Sequence, residues 1–191
     1  MPSGETHDRI TIGILPWIVG VTYCLTRNGE LTLILSGGYF FSGMMFGPDL
    51  DIRSLQYKRW GVIRGIWLPY RKFLKHRSIL SHGFILGTCV RLVYLCLIIA
   101  CISIFAVAIA QLIFGFIWNW QDFVQEQFYL LIKKYPQETI ALFIGLEIGA
   151  MSHSITDWIT SSRKLRLKNK LGEPKKVTNK LRSAKIYQKK K

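Results

Sequence analysis

The stretch Leu92–Trp118, LVYLCLIIACISIFAVAIAQLIFGFIW, decides the class of this protein. It runs for 27 residues with Gln111 as its only strongly polar side chain. About 20 apolar residues cross the hydrocarbon core of a bilayer, with a lower limit near 17. A helix buried in a globular core is usually shorter than this run. The stretch therefore reads as a membrane-spanning helix with room to tilt. An earlier start near Phe84 is equally allowed, with Arg91 snorkelling or facing protein.

Three weaker apolar runs flank it. Ile10–Thr26 and Leu31–Gly47 lie near the lower length limit, and Thr139–Ile159 contains Glu147, His153 and Asp157. That last run spans only if its polar groups face inward. The expected fold is all-α: an integral membrane bundle of about four apolar helices over residues 1–162, followed by a basic cytoplasmic tail over 163–191. Half of the 191 residues are apolar, which excludes disorder of the whole chain.

Charge is unevenly placed. The chain has 26 Lys and Arg against 11 Asp and Glu, formally +15. Residues 163–191 hold 13 of those cations and one acid, Glu173. The body is apolar and nearly neutral, which a soluble basic nucleic-acid domain is not. The tail has few large aliphatics and Tyr187 as its one aromatic, so it cannot build a core and offers little stacking to nucleic acid. Disorder and attraction to anionic headgroups, at about 1 kcal/mol per cation, are the expectation.

Positive charge also sets direction. Eight cations lie between Arg53 and Arg77, whereas Arg27–Glu30 has one and 119–138 has two. The N-terminus, the 48–83 segment and the tail are therefore expected in the cytoplasm, and the protein in the inner cell membrane. Residues 1–8 carry no basic cluster ahead of the first apolar run, which argues against a removable signal peptide. Cys24, Cys89, Cys96 and Cys101 sit in or beside apolar runs and read as small hydrophobes, not as a disulfide framework.

This topology gathers the chemistry at one end. His7 precedes the first run. Asp49 and Asp51 leave the second, His76 and His82 lead into the third, and His153 and Asp157 close the fourth. Imidazole and carboxylate suit borderline and hard divalent metals, with zinc first and manganese or iron as alternatives. His153 and Asp157 are i and i+4, on one helical face. Pro48 favours a turn carrying Asp49 and Asp51. His76 and His82 are six apart, about 240° around a helix, so they do not share a face. A break between them is expected, with Ser78 or Ser81 capping the third helix and His82 in its first turn. Arg77 is read either as a partner for a substrate anion such as phosphate or as one more cation of the charge that sets orientation. Glu147, deep in the fourth run, is read as an inner ligand, a proton relay or a group facing a polar cavity.

The pieces THDR at Thr6–Arg9, GPDLD at Gly47–Asp51, HRSILSHG at His76–Gly83 and HSITDW at His153–Trp158 resemble a known family. It is a family of small bacterial and archaeal membrane proteins described as uncharacterised metal-binding proteins. Its wider relatives are described as inner-membrane metal-dependent hydrolases. The resemblance covers roughly residues 1–165 and implies a metal at these His and Asp positions. The pattern is similar, more distantly, to the helical zinc phospholipase C fold.

The functional expectation is a divalent metal held by His7, Asp49, Asp51, His76, His82, His153 and Asp157. The reaction would be hydrolysis of phosphoester or lipid substrates, with Asp51 or Asp157 as the base. The rival is a non-enzymatic membrane protein whose structural metal clamps the helix ends while the tail recruits anionic lipid or a partner. A transporter ranks last, because only Glu147 lies near the midplane. Neither G-x-x-x-x-G-K-[ST] nor G-x-G-x-x-G occurs.

Overall fold

In a computed structural model the described residues are 4–74 and 78–170. His76, Arg77 and the tail beyond Lys170 lie outside them. The described residues are helical, with no strand among them. The chain divides into two units, Pro2–Thr156 and a C-terminal one beginning at Asp157.

The long elements follow the apolar runs. Helix α1 is Gly4–Thr26, α2 is Gly29–Met44, α6 is Leu86–Phe114 and α8 is Pro136–Lys170. Between them lie α3 (Leu55–Arg59), α4 (Leu68–Phe73), α5 (Ile79–His82) and α7 (Trp120–Tyr129). Among the described residues, three helical stretches are long and apolar enough to cross a membrane: Gly4–Thr26, Leu86–Phe114 and Pro136–Arg163. The second run makes a helix of 16 residues, about 24 Å at 1.5 Å per residue, shorter than the roughly 30 Å hydrocarbon core.

Boundaries follow local chemistry. Asn28 caps α2, its side chain accepting from the N–H groups of Glu30 and Leu31. Pro136 opens α8, where a missing N–H costs nothing. Helix α6 stops at Phe114, four residues before the end of its apolar run. Gly115 takes φ +69° there and donates its N–H to Gln111 O at 2.9 Å. Apolar side chains are exposed along α6: Leu97, Ile102, Phe105 and Leu112 are each more than half exposed. A helix apolar all round needs an apolar surrounding.

Small residues bring α2 and α8 together. A Cβ on Gly145 would stand 2.2 Å from Leu35 O, and one on Gly149 would stand 2.5 Å from Tyr39 O. Gly145-x-x-x-Gly149 is thus a close backbone crossing of the small-xxx-small kind. On the α1 side, Gly43 leaves room for Thr11, and Tyr39 Oη donates to Thr11 O at 3.2 Å.

The aromatic core is built on the segment that follows α2 and packs against residues of α6 and α8. Phe46, Leu50, Tyr57, Trp67 and Tyr70 are buried together with Leu146. Trp67 is fully buried, with ring centroids of Trp60 at 5.1 Å and of Tyr70 and Tyr94 at 5.5 Å. Burial pushes the Tyr70 phenol up to about 12, against the opposing pull of Arg91. This cap packs segment 46–70 against the ends of the helices and so fixes the backbone that carries the site.

Candidate metal centre

The site is built from four distant pieces of the Pro2–Thr156 unit. His7 lies in the first turns of α1. Asp49 and Asp51 occupy a 3-10 turn, Pro48–Asp51, with Pro48 at its first position. His82 ends α5, and His153 lies in α8.

Asp49 is the hub. Its Oδ2 is 3.1 Å from His153 Nε2, and its Oδ1 is 3.7 Å from His82 Nε2. The other nitrogen of His82, Nδ1, is 3.8 Å from Asp51 Oδ2 and 2.9 Å from Ser81 Oγ. The rings of His7 and His153 stack with centroids 3.8 Å apart and an interplanar angle of 18°. His7, His153 and Asp51 are 6%, 4% and 5% exposed. Burial alone would raise the Asp49 carboxyl. The imidazoles of His153 and His82 beside it outweigh burial and hold it well below the usual carboxylate range.

Asp157 follows His153 by four residues in the sequence, begins the C-terminal unit and is buried. His76 and Arg77 lie outside the described residues. The placement of His82 differs from the expectation. Ser78 precedes the separate four-residue helix α5, and His82 is its last residue, followed by a turn at Gly83–Ile85 before α6 begins. The reason is local: a Cβ on Gly83 would stand 2.2 Å from Ile79 O, and Ile85 has φ +58°, so no helix runs through.

The arrangement fits a cation. His153 Nδ1 and Asp49 Oδ1 are buried without a hydrogen-bond partner. Buried polar atoms of this kind ordinarily have one. Imidazole nitrogens and carboxylate oxygens converging from four segments are the donor set of a borderline or hard divalent ion.

Several supporting residues give little sequence signal. Ser54 Oγ donates to Asp49 O at 2.8 Å and accepts from Tyr57 N–H, fixing the 48–51 turn to α3. A serine before a short helix is a legible cap, but its tie to Asp49 is tertiary. Gln56, 4% exposed, donates from Nε2 to Gly43 O at 2.9 Å. Arg59 forms a two-pronged pair with Asp8 and donates to Met44 O at 2.8 Å, joining the start of α1 to the end of α2. A small polar pocket of about 20 Å³ lies beside His7, Asp49 and His153, bordered by Asp8, Ser54 and Gln56. A second, of about 10 Å³, lies on the His82 side, bordered by Ser81, Arg91, Glu147 and Ser154.

Comparison with known proteins adds to this geometry. The profile of the family described as "Uncharacterized metal-binding protein (DUF2227)" matches residues 2–167. An "Uncharacterized protein" of Aquifex aeolicus (strain VF5) is 39% identical over 59 residues, which cover 30% of this chain and 41% of that protein. The match thus spans less than half of that relative's length. No solved structure matches the chain.

Proposed function

This chain belongs to the family of uncharacterized metal-binding proteins, and from that premise we propose that it is a membrane protein holding a divalent metal at the cytoplasmic end of its helices, where it hydrolyses phosphoester or lipid-headgroup bonds. The observation that carries the proposal is the position of Asp49 between two imidazoles of distant origin, His153 at 3.1 Å and His82 at 3.7 Å. His7, stacked on His153, and Asp51, beside His82, complete the set within one unit. Asp157, one turn beyond His153, and His76, upstream of His82, are further ligands by their sequence spacing.

Three long apolar helices support the membrane location. A four-span reading needs α2 to return across the bilayer after α1, its short length met by local thinning. The excess of Lys and Arg in 48–83 and in the tail supports cytoplasmic termini at the inner membrane. The tail faces anionic headgroups in this reading, and Arg77 faces a substrate anion. Zinc is the first choice of ion, with manganese and iron as alternatives.

Bound there, a divalent ion supplies Lewis-acid polarisation of an ester oxygen. The protein's own part is to orient the ligands and to move a proton. Asp51 or Asp157 takes it from the attacking water, Asp51 through the Oδ2 that lies 3.8 Å from His82 Nδ1. A structural clamp is the second reading, favoured by the burial of His7 and His153. A screen of phosphodiester and phosphomonoester substrates separates the two. Hydrolysis by metal-loaded wild type, lost on chelation and in Asp49→Ala, supports the enzyme. Metal bound without turnover of any substrate supports the clamp.

A further inference from the structure

The turn that delivers His82 is held by two charged residues that take no part in the ligand set. Arg91, 1% exposed near the start of α6, donates through Nη1 to Ser81 O at 2.9 Å and through Nη2 to Thr88 Oγ1 at 2.8 Å. Glu147, on α8, accepts the backbone N–H of Ile85 at 2.9 Å. Both residues lie in helical stretches apolar enough to cross a membrane, where an ionisable side chain is expensive and therefore calls for a role. They border the same small pocket as His82.

Ile85 is the unusual point. It has φ +58°, a conformation that β-branched residues rarely adopt. The residue is 57% exposed, so packing does not impose that backbone. Its carbonyl accepts the Cys89 N–H at 2.8 Å as the first bond of α6, while its own N–H is met by the Glu147 carboxylate. The rest of the turn is fixed by close approach, since a Cβ on Gly87 would stand 2.9 Å from Ser81 O.

We propose that Glu147 is a positioning residue for the metal centre: by holding the strained Ile85 N–H it sets the Gly83–Ile85 turn, and through it the His82 ring, against Asp49 and Asp51. Arg91 fixes the other side of His82 through the Ser81 carbonyl. The proposal rests on the reading of His82 as a ligand. It gives the intramembrane carboxylate a role distinct from ligation and from proton relay.

The test is a zinc titration of the detergent-purified full chain, read by competition with a chromophoric chelator. Glu147→Ala is expected to weaken zinc binding by about 10–100-fold, the usual range for a group that orients a ligand, and Glu147→Gln, which keeps an acceptor, to stay within about threefold of wild type. Adding Ile85→Gly to Glu147→Ala is expected to restore most of the affinity, because glycine takes positive φ without an anchor. A general folding role would not be rescued in that way. Should Glu147→Ala fold poorly, Glu147→Asp decides: it keeps the charge, falls short of the Ile85 N–H, and is expected to lose affinity like alanine. Wild-type affinity in both Glu147→Ala and Glu147→Asp, or a loss that neither Glu147→Gln nor Ile85→Gly moderates, overturns the proposal. If Asp49→Ala abolishes binding while the Glu147 variants do not change it, only this proposal falls. If wild type takes up no zinc, the metal-centre reading falls with it.

Discussion

Asp49 Oδ2 lies 3.1 Å from His153 Nε2, linking the turn after α2 to the long helix α8. The contact is made possible farther along the same pair of elements. Gly145 and Gly149 let α8 lie against the backbone of α2, so that His153, one turn on, reaches the 48–51 segment. Site and packing are therefore one problem in this fold.

The helix crossing should be sensitive to a single methyl group. Gly145→Ala would put its Cβ 2.2 Å from Leu35 O, a backbone atom that cannot swing away. A loss of about 1–3 kcal/mol is expected, together with weaker metal retention. Gly37 has no atom within 4 Å of its ideal Cβ. Gly37→Ala should be neutral or stabilising by up to about 1 kcal/mol, from helix propensity. Thermal melts in one detergent compare the two, and equal melting temperatures would count against the close crossing.

Metal binding should weaken as pH falls. The Asp49 carboxyl is held well below its ordinary range, so it stays ionised across about pH 5 to 8. Imidazole binds metal only when neutral, so protons compete with the metal as the solution is acidified. Zinc affinity measured at several pH values should fall on acidification. His82→Ala should leave a shallower dependence. An affinity independent of pH in wild type would rule out imidazole ligation.

Orientation can be read without reference to the site. A reporter fused after Lys191 should act as cytoplasmic, because both strongly basic segments lie on that side in the proposed topology. Gln125 is exposed in α7, within the connection expected on the opposite face. A cysteine there, with Cys24, Cys89, Cys96 and Cys101 replaced by alanine, should react with an impermeant thiol reagent added from outside the inner membrane. Labelling only after lysis would reverse the topology.

How much of this was legible depended on the range of the interaction. Helix α6 could be read from composition, because an unbroken apolar run has few other outcomes. The gathering of His7, Asp49, His82 and His153 followed from chain order once alternate helix ends were assumed to share a side. Lengths were less legible. The apolar run runs on to Trp118, but Gly115 ends the helix at Phe114 by taking a left-handed backbone. Helix α2 is shorter than its apolar run for a related reason, since the chain turns at Met45 and leads into Pro48.

Residues that act through tertiary contact left little trace. Arg59 reads as one more topogenic cation until Asp8 and Met44 O are seen against it. Arg91 and Glu147 read as flaws in apolar runs until both are found at the turn beside His82. His82 itself was placed in the wrong element, because the sequence marks a cap at Ser78 but gives no sign that Ile85 breaks the helix after it.

The most direct measurement is elemental analysis of the detergent-purified protein, comparing wild type with Asp49→Ala and His153→Ala. The expected result is a stoichiometric divalent metal in wild type and its loss, by about tenfold or more in retained metal, in both variants, since removing a ligand costs at least as much as removing a group that orients one. Equal metal content in all three proteins, or none in wild type after growth with zinc, manganese and iron supplied, would contradict the metal centre.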